Sequence, residues 1–464
     1  MNYKDCQEWR KVGFPAVNTS NEAAKMYDAA MTQYLSGYSD ETVGNMGTCL
    51  QKMLTADPDF VLGHVVKNGL MLLGGPNVWT NNDMKINIDK MVEMAEKADL
   101  NPLEKLHVDA VKHLSLGEST SACDKWDEIL LYYPTDILAL RNAFSAHFVT
   151  GRIERYRDCF ARVMPDWKAS PSPILYSNVR SMYAFSLEET NFYDEAEKLA
   201  REGFEVNQKD IWATHTLAHI MEMQGRNNEG VTFLRGKEQD FQGNVLCGHV
   251  YWHWGLFHIE KGEYEEALSL YDGQVQKFMD SGLTIDLTDA SAFLYRLELE
   301  GVDVGDRWKN VYEHWSPRIG DHALMFDDIH SLMAAQGAKQ DDVADKLMES
   351  LKEFISNTDD RNHNTRISKE VGLSLCKAFQ AYDNGDYGTA VDAMVPIKYR
   401  IQELGGSHAQ RDIFNLFLIH AAVKSSEKKH QLLARSLLQE RKAQRKCSPM
   451  TDRILAQLGD ISSH

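Results

Sequence analysis

A chain of 464 residues with 43 % hydrophobic residues has ample material for a core, and its net charge of −18 opposes phosphate backbones, so no nucleic-acid partner is expected. Seven scattered cysteines, an odd number with no C-x-x-C pair, exclude a disulfide framework and a zinc finger and fit a reducing, cytoplasmic setting. Only 11 prolines suit long helices, and no run approaches the roughly 18 apolar residues of a membrane span.

In chain order, apolar residues at three- and four-residue spacing predict helices around Asn21–Tyr34 and Glu41–Ala56, then one through Leu70 after Asp57-Pro58. A pattern of small residue, turn, small residue and aromatic follows. It reads Ala110, Gly117, Ala122 and Trp126, then Gly151 and Phe160, then Asn191, Tyr193, Ala196 and Ala200. It continues with Ala218, Gly225 and Leu234, and is clearest in HWGLFHIEKGEYEEALSLYD, with Gly255, Gly262, Tyr264, Ala267 and Tyr271. Turns at 117, 151, 191, 225 and 262 are spaced by 34, 40, 34 and 37 residues. Helices are expected over Ile285–Glu300 and Asp321–Gln336, a polar loop over Asn357–Asn364, and another copy at Ala378, Gly385, Tyr387, Ala390 and Met394.

A period near 34 residues is that of tetratricopeptide helical hairpins, each of which must stack on a neighbour to bury its apolar face. The expected fold is therefore all-α, a superhelical solenoid of tetratricopeptide-type hairpins, partly divergent. Residues 1–464 read as a single array. The hairpins are clearest over 103–280, divergent helices fill 281–370, a further hairpin spans 371–404, and capping helices occupy 405–464.

The runs LEETNFYDEAEKLA (Leu187–Ala200), THTLAHIMEM (Thr214–Met223), YWHWGLFHIEKGEYEEAL (Tyr251–Leu268), YRLELEGVDVGDRW (Tyr295–Trp308) and GGSHAQRDIFN (Gly405–Asn415) resemble the tetratricopeptide-repeat protein 38 family over essentially the whole chain. His408 departs from the expected pattern. The resemblance implies a soluble all-α repeat protein and assigns no reaction and no site.

Tetratricopeptide arrays resemble one another in lining a concave groove with the first helix of each hairpin. Carrying that register over places Trp212, His215, His219 and Glu222 on one stripe, and His249 and Trp252, flanked by His253, on the next. Three readings stay open. The histidines pack between helices; or they line a recognition groove for a protein or peptide partner, or a small molecule; or His215, His219 and Glu222 reach a metal ion. His-Thr-Leu-Ala-His lacks the glutamate of H-E-x-x-H, and phosphate-cradling and hydrolase motifs are absent. A non-enzymatic binding scaffold without a cofactor is therefore the leading expectation, with a metal-assisted enzyme as its alternative. The acid/His group Asp321, His322, Asp327, Asp328 and His330 reads as a solvated helix start. Arg411-Asp412 and Tyr295-Arg296 read as structural. The basic face of Lys428–Lys446 reads as the solvated side of a capping helix held by Leu432, Leu433, Leu437 and Leu438.

Overall fold

The computed structural model describes residues 3–14, 19–74, 78, 80–169 and 172–458; the end of the expected 405–464 capping region lies outside them. Among the described residues the regular structure is helical, apart from isolated bridges at Tyr38–Asn244 and Asp40–Gly44. No helix among them is long and apolar enough to cross a membrane. The chain is an all-α helical-repeat protein of tetratricopeptide-like type.

What makes it a repeat is a helix cap. At each turn one residue takes a left-handed conformation, and the next amide donates to the carbonyl five residues earlier. This is the Schellman arrangement, which satisfies carbonyls orphaned at a helix end. Gly117, Gly151, Asn191, Gly225, Gly262 and Gly385 adopt it where the sequence pattern placed turns. So do Gly301 and Lys339, in the stretch where that pattern fades. The capping bonds are alike: Arg226 N donates to Met221 O at 2.7 Å, Val302 N to Leu297 O at 2.9 Å and Gln340 N to Ala335 O at 2.8 Å.

The chain forms two compact units. The first comprises Met1–Thr216, Asp240–Leu246 and Arg361–His363. Its hairpins include Pro102–Ser115 with Ser119–Tyr132, Ile137–Val149 with Ile153–Lys168, and Pro173–Glu188 with Tyr193–Val206. Side-chain caps fix the helix starts, as where Asn101 accepts from Glu104 N and Glu104 returns a bond to Asn101 N. The rings of Phe144, Tyr156, Phe160 and Phe185 pack edge to face or tilted in its core.

The second unit comprises Leu217–Gln239, Cys247–Asp360 and Asn364–His464. Its helices divide into two kinds. Asp341–Asn357 is amphipathic, burying Ala344, Leu347, Met348, Leu351 and Phe354 at three- and four-residue steps. Cys247–Lys261 instead buries every residue from Cys247 to Glu260. A helix enclosed all round buries its polar side chains too, and these must find partners.

Gly225 shows how tightly the C-terminal segment is fitted. A Cβ there would meet the Cys447 carbonyl oxygen at 2.3 Å, at φ +71°. Gly225→Ala is expected to cost about 3 kcal/mol, combining left-handed strain with a backbone clash. Gly301→Ala, at φ +83° with nothing within 4 Å, should cost only about 1 kcal/mol. Urea midpoints of the two variants check this; equal shifts would refute the clash.

Candidate functional site

Five helices converge on a polar centre in the second unit: α1 (Ile211–Met223), α2 (Cys247–Lys261), α3 (Thr284–Leu299), α4 (His408–Lys424) and α5 (Lys428–Gln444). His219 and Glu222 lie three residues apart on α1, and His249 and His253 four apart on α2, so each pair shares a face. All four are buried.

The three imidazoles meet. The rings of His219 and His253 are 4.4 Å apart, and those of His249 and His253 4.8 Å. One ring nitrogen from each lies within 4.8 Å of the others. Two rings are anchored by carboxylates on the far side: His249 Nδ1 lies 2.6 Å from Asp289 Oδ2, and His253 Nδ1 lies 3.1 Å from Glu222 Oε2. Gln410 Nε2 donates to the other Asp289 oxygen at 3.4 Å. Trp252 stacks on His249 with 5.2 Å between centroids, and the Arg296 guanidinium lies 5.4 Å from the Trp252 ring. Burial, with His249 and Arg296 nearby, holds His253 well below the usual histidine range, so its ring is neutral at neutral pH.

An ionic cluster adjoins this centre. Asp412 pairs with Arg441 and, at 3.4 Å, with Arg445. Arg441 also reaches Glu260 at 3.5 Å, and Arg445 reaches Glu222 at 3.6 Å. Arg296 donates to the Ala409 carbonyl at 2.7 Å. Burial lowers its guanidinium to about 10, so it stays charged at neutral pH. Burial alone would raise Asp412, but Arg441 and Arg445 outweigh it and hold this carboxyl well below the usual range. Burial raises Glu222, against the pull of Arg445 and Arg296.

The sequence register placed seven residues on an open groove. The structure brings His219, Glu222, His249, Trp252 and His253 together, but encloses them: Trp252 and His253 are both 0 % exposed. The open groove is thus corrected. Arg441 and Arg445 close over the inner helices, and beyond them Ser448 donates to Glu260 while Arg453 donates to the Ile259 and Glu260 carbonyls. The solvated basic face expected for Lys428–Lys446 is corrected in part: Lys428, Lys429, Arg435, Lys442 and Lys446 are exposed and Leu437 and Leu438 buried as expected, but Arg441 and Arg445 point inward and Leu432 is exposed. His215 lies one turn before His219 on α1, its ring 4.5 Å from that of Phe185. Trp212 belongs to the core of the first unit, its indole N–H donating to the Leu35 carbonyl at 3.0 Å.

Asp289 and Gln410 carry no sequence signal as site residues, because each comes from a segment far along the chain; Glu260 lies on α2 itself but beyond the residues that the register placed on the groove, and Arg441 and Arg445 read as part of a solvated basic face. Asp412 and Arg296 read from the sequence as structural groups. The group near Asp321 is not a solvated helix start: His322 and Asp328 are buried 3.1 Å apart, and His330 Nδ1 lies 2.6 Å from the Phe326 carbonyl. A separate cleft of about 240 Å³ is lined by Tyr295, Glu298, Tyr382, Tyr387 and Lys424.

No protein-family model matches the sequence. Solved structures to which the chain is similar include a human IFIT1 dimer with m7Gppp-AAAA, at 12 % identity and a TM-score of 0.39, covering 100 % of this chain and 98 % of that one. A human IFIT1 dimer with PPP-AAAA matches at 12 % identity and a TM-score of 0.40, with the same coverage. The expectation of no nucleic-acid partner is corrected at this point. These neighbours hold such ligands, and net charge, a property of the whole chain, does not fix the sign of any one place on it.

Proposed function

We propose that this chain is a tetratricopeptide-type binding protein whose ligand site is the enclosed His–carboxylate–Arg centre of the second unit, and that the ligand is a single ion or a molecule of a few atoms. One observation carries this reading: three imidazoles, four carboxylates and three guanidiniums are gathered where the fold could have placed apolar side chains. Burying such groups is costly even when paired, and apolar replacements of similar volume are often neutral or stabilising. An extended peptide laid in an open groove has no route to side chains this enclosed.

The stretches that resemble the tetratricopeptide-repeat protein 38 family support assigning the chain there. Seven cysteines without a disulfide support a reducing, cytoplasmic location.

Native mass spectrometry tests the site. The protein is expected to retain a small bound mass that disappears on denaturation and in a His253→Gln variant of unchanged helicity. A chain that retains no such mass, and that binds a peptide equally well as His253→Gln, would overturn the reading.

A further inference from the structure

The deepest question about this centre is why three imidazoles share it. Two buried neutral histidines can satisfy one another with a single hydrogen bond, which needs no carboxylate behind either ring. Here both rings of α2 are held from behind. Asp289 and Glu222 sit at Nδ1 of His249 and His253; with each Nδ1–H donating to its carboxylate, Nε2 of each ring carries the lone pair, on the side away from that carboxylate. A carboxylate behind an imidazole fixes its tautomer and orientation and raises its basicity, the outer-shell arrangement of metal-bound histidines.

Charge gives a second, independent argument. Asp289 is 2 % exposed, and among the described residues its ion-pair partner is His249. A divalent cation bound to the far side of that ring would offset the buried carboxylate. Geometry allows it: three nitrogens at 2.0–2.1 Å from a tetrahedral ion stand about 3.4 Å apart. The nitrogens of His219, His249 and His253 already lie within 4.8 Å of one another, on two packed helices.

We propose that His219, His249 and His253 bind one divalent first-row transition-metal ion of the zinc class, with Asp289 and Glu222 orienting the α2 ligands. Three neutral nitrogens and no thiolate suit zinc, cobalt, nickel or copper over magnesium or calcium. A three-histidine set leaves a fourth position for a further donor, water or a small ligand. This rests on the enclosed centre being the ligand site, and it names the ligand.

The test uses the full chain, purified without a histidine tag. Elemental analysis is expected to find close to one equivalent of zinc or a neighbouring metal. After chelation, Co²⁺ should restore one equivalent with the intense visible absorption of four- or five-coordinate cobalt, and Zn²⁺ should raise Tm. Asp289→Asn, which keeps the shape but replaces one of the two acceptor oxygens with an N–H donor, should weaken Co²⁺ binding by about 10- to 100-fold. His219→Gln with His249→Gln should abolish it, while His330→Gln, a buried histidine outside the cluster, should not. A wild-type chain that binds no Co²⁺ beyond the pale six-coordinate aqua ion, and whose Tm ignores Zn²⁺, overturns the proposal without reference to any variant. So does full binding by the double variant. If native mass spectrometry then shows a metal-free organic ligand lost in His253→Gln, the enclosed site stands and the metal falls; if it shows none, both fall.

Discussion

Asp412→Ala is expected to destabilise the protein by about 3–5 kcal/mol, the usual consequence of removing one partner from a buried ionic network. The substitution takes away the carboxylate that Arg441 and Arg445 both address and leaves these two guanidiniums, with Arg296 nearby, to Glu260 and Glu222 alone. The loss is one of uncompensated charge rather than of contact. Pairing Asp412→Leu with Arg441→Met should therefore recover most of it. Acid supplies the same perturbation reversibly. The Arg441 and Arg445 guanidiniums depress the Asp412 carboxyl in the folded chain, so its contribution is complete above the unfolded carboxylate value near pH 4 and drains away as pH falls toward the folded value. Urea unfolding followed by far-ultraviolet circular dichroism, at neutral pH and below pH 4, measures both. A single-variant loss under about 1 kcal/mol would show the cluster to be well hydrated, contrary to its burial.

Trp252→Ala separates a groove residue from a core residue. A tryptophan anchoring a partner on an open face can be truncated at small cost to the free protein, with the loss appearing in binding. Trp252 is instead enclosed, stacked on His249 and beneath Arg296, so truncation should cost about 3–5 kcal/mol of stability. It also loosens the ring it stacks on, so metal or ligand binding should weaken together with Tm. A Tm within a degree or two of wild type would contradict the enclosed centre and restore the groove. Trp212→Ala should likewise destabilise the first unit, where the indole packs at 5.3 Å from Phe144. Loss of a partner in such variants would therefore report unfolding before it reported recognition.

The turns were legible because their chemistry is local. A left-handed residue followed by a start signal leaves glycine or asparagine in the sequence, and Gly117, Gly151, Asn191, Gly225, Gly262 and Gly385 wrote themselves plainly. Lys339 did not, since nothing about a lysine suggests φ +56°. Gly301 was obscured by the short Arg307–Trp315 helix after it, whose aromatic residues fall off the repeat pattern. The site was legible in half. Periodicity along α1 and α2 told which side chains share a face, and so grouped His219 with Glu222 and His249 with His253. Periodicity does not tell what covers that face. The covering arginines lie some two hundred residues on, in a helix whose charges resemble any solvated surface. Asp289 and Asp412 look equally ordinary, because a buried carboxylate is distinguished by its partner and not by its neighbours in sequence.

The inward-facing C-terminal segment also sets a schedule. Glu222, Glu260 and Glu300 leave the ribosome long before the guanidiniums of Arg441, Arg445 and Arg453 that meet them. At roughly 5–20 residues per second, Glu222 waits on the order of ten seconds to under a minute for its counter-charge. Through that interval the nascent second unit has acids to bury without the guanidiniums that pair with them. Until Arg441, Arg445 and Arg453 have been made, these acids have only such partners as His253 and Tyr264, which precede the arginines in synthesis.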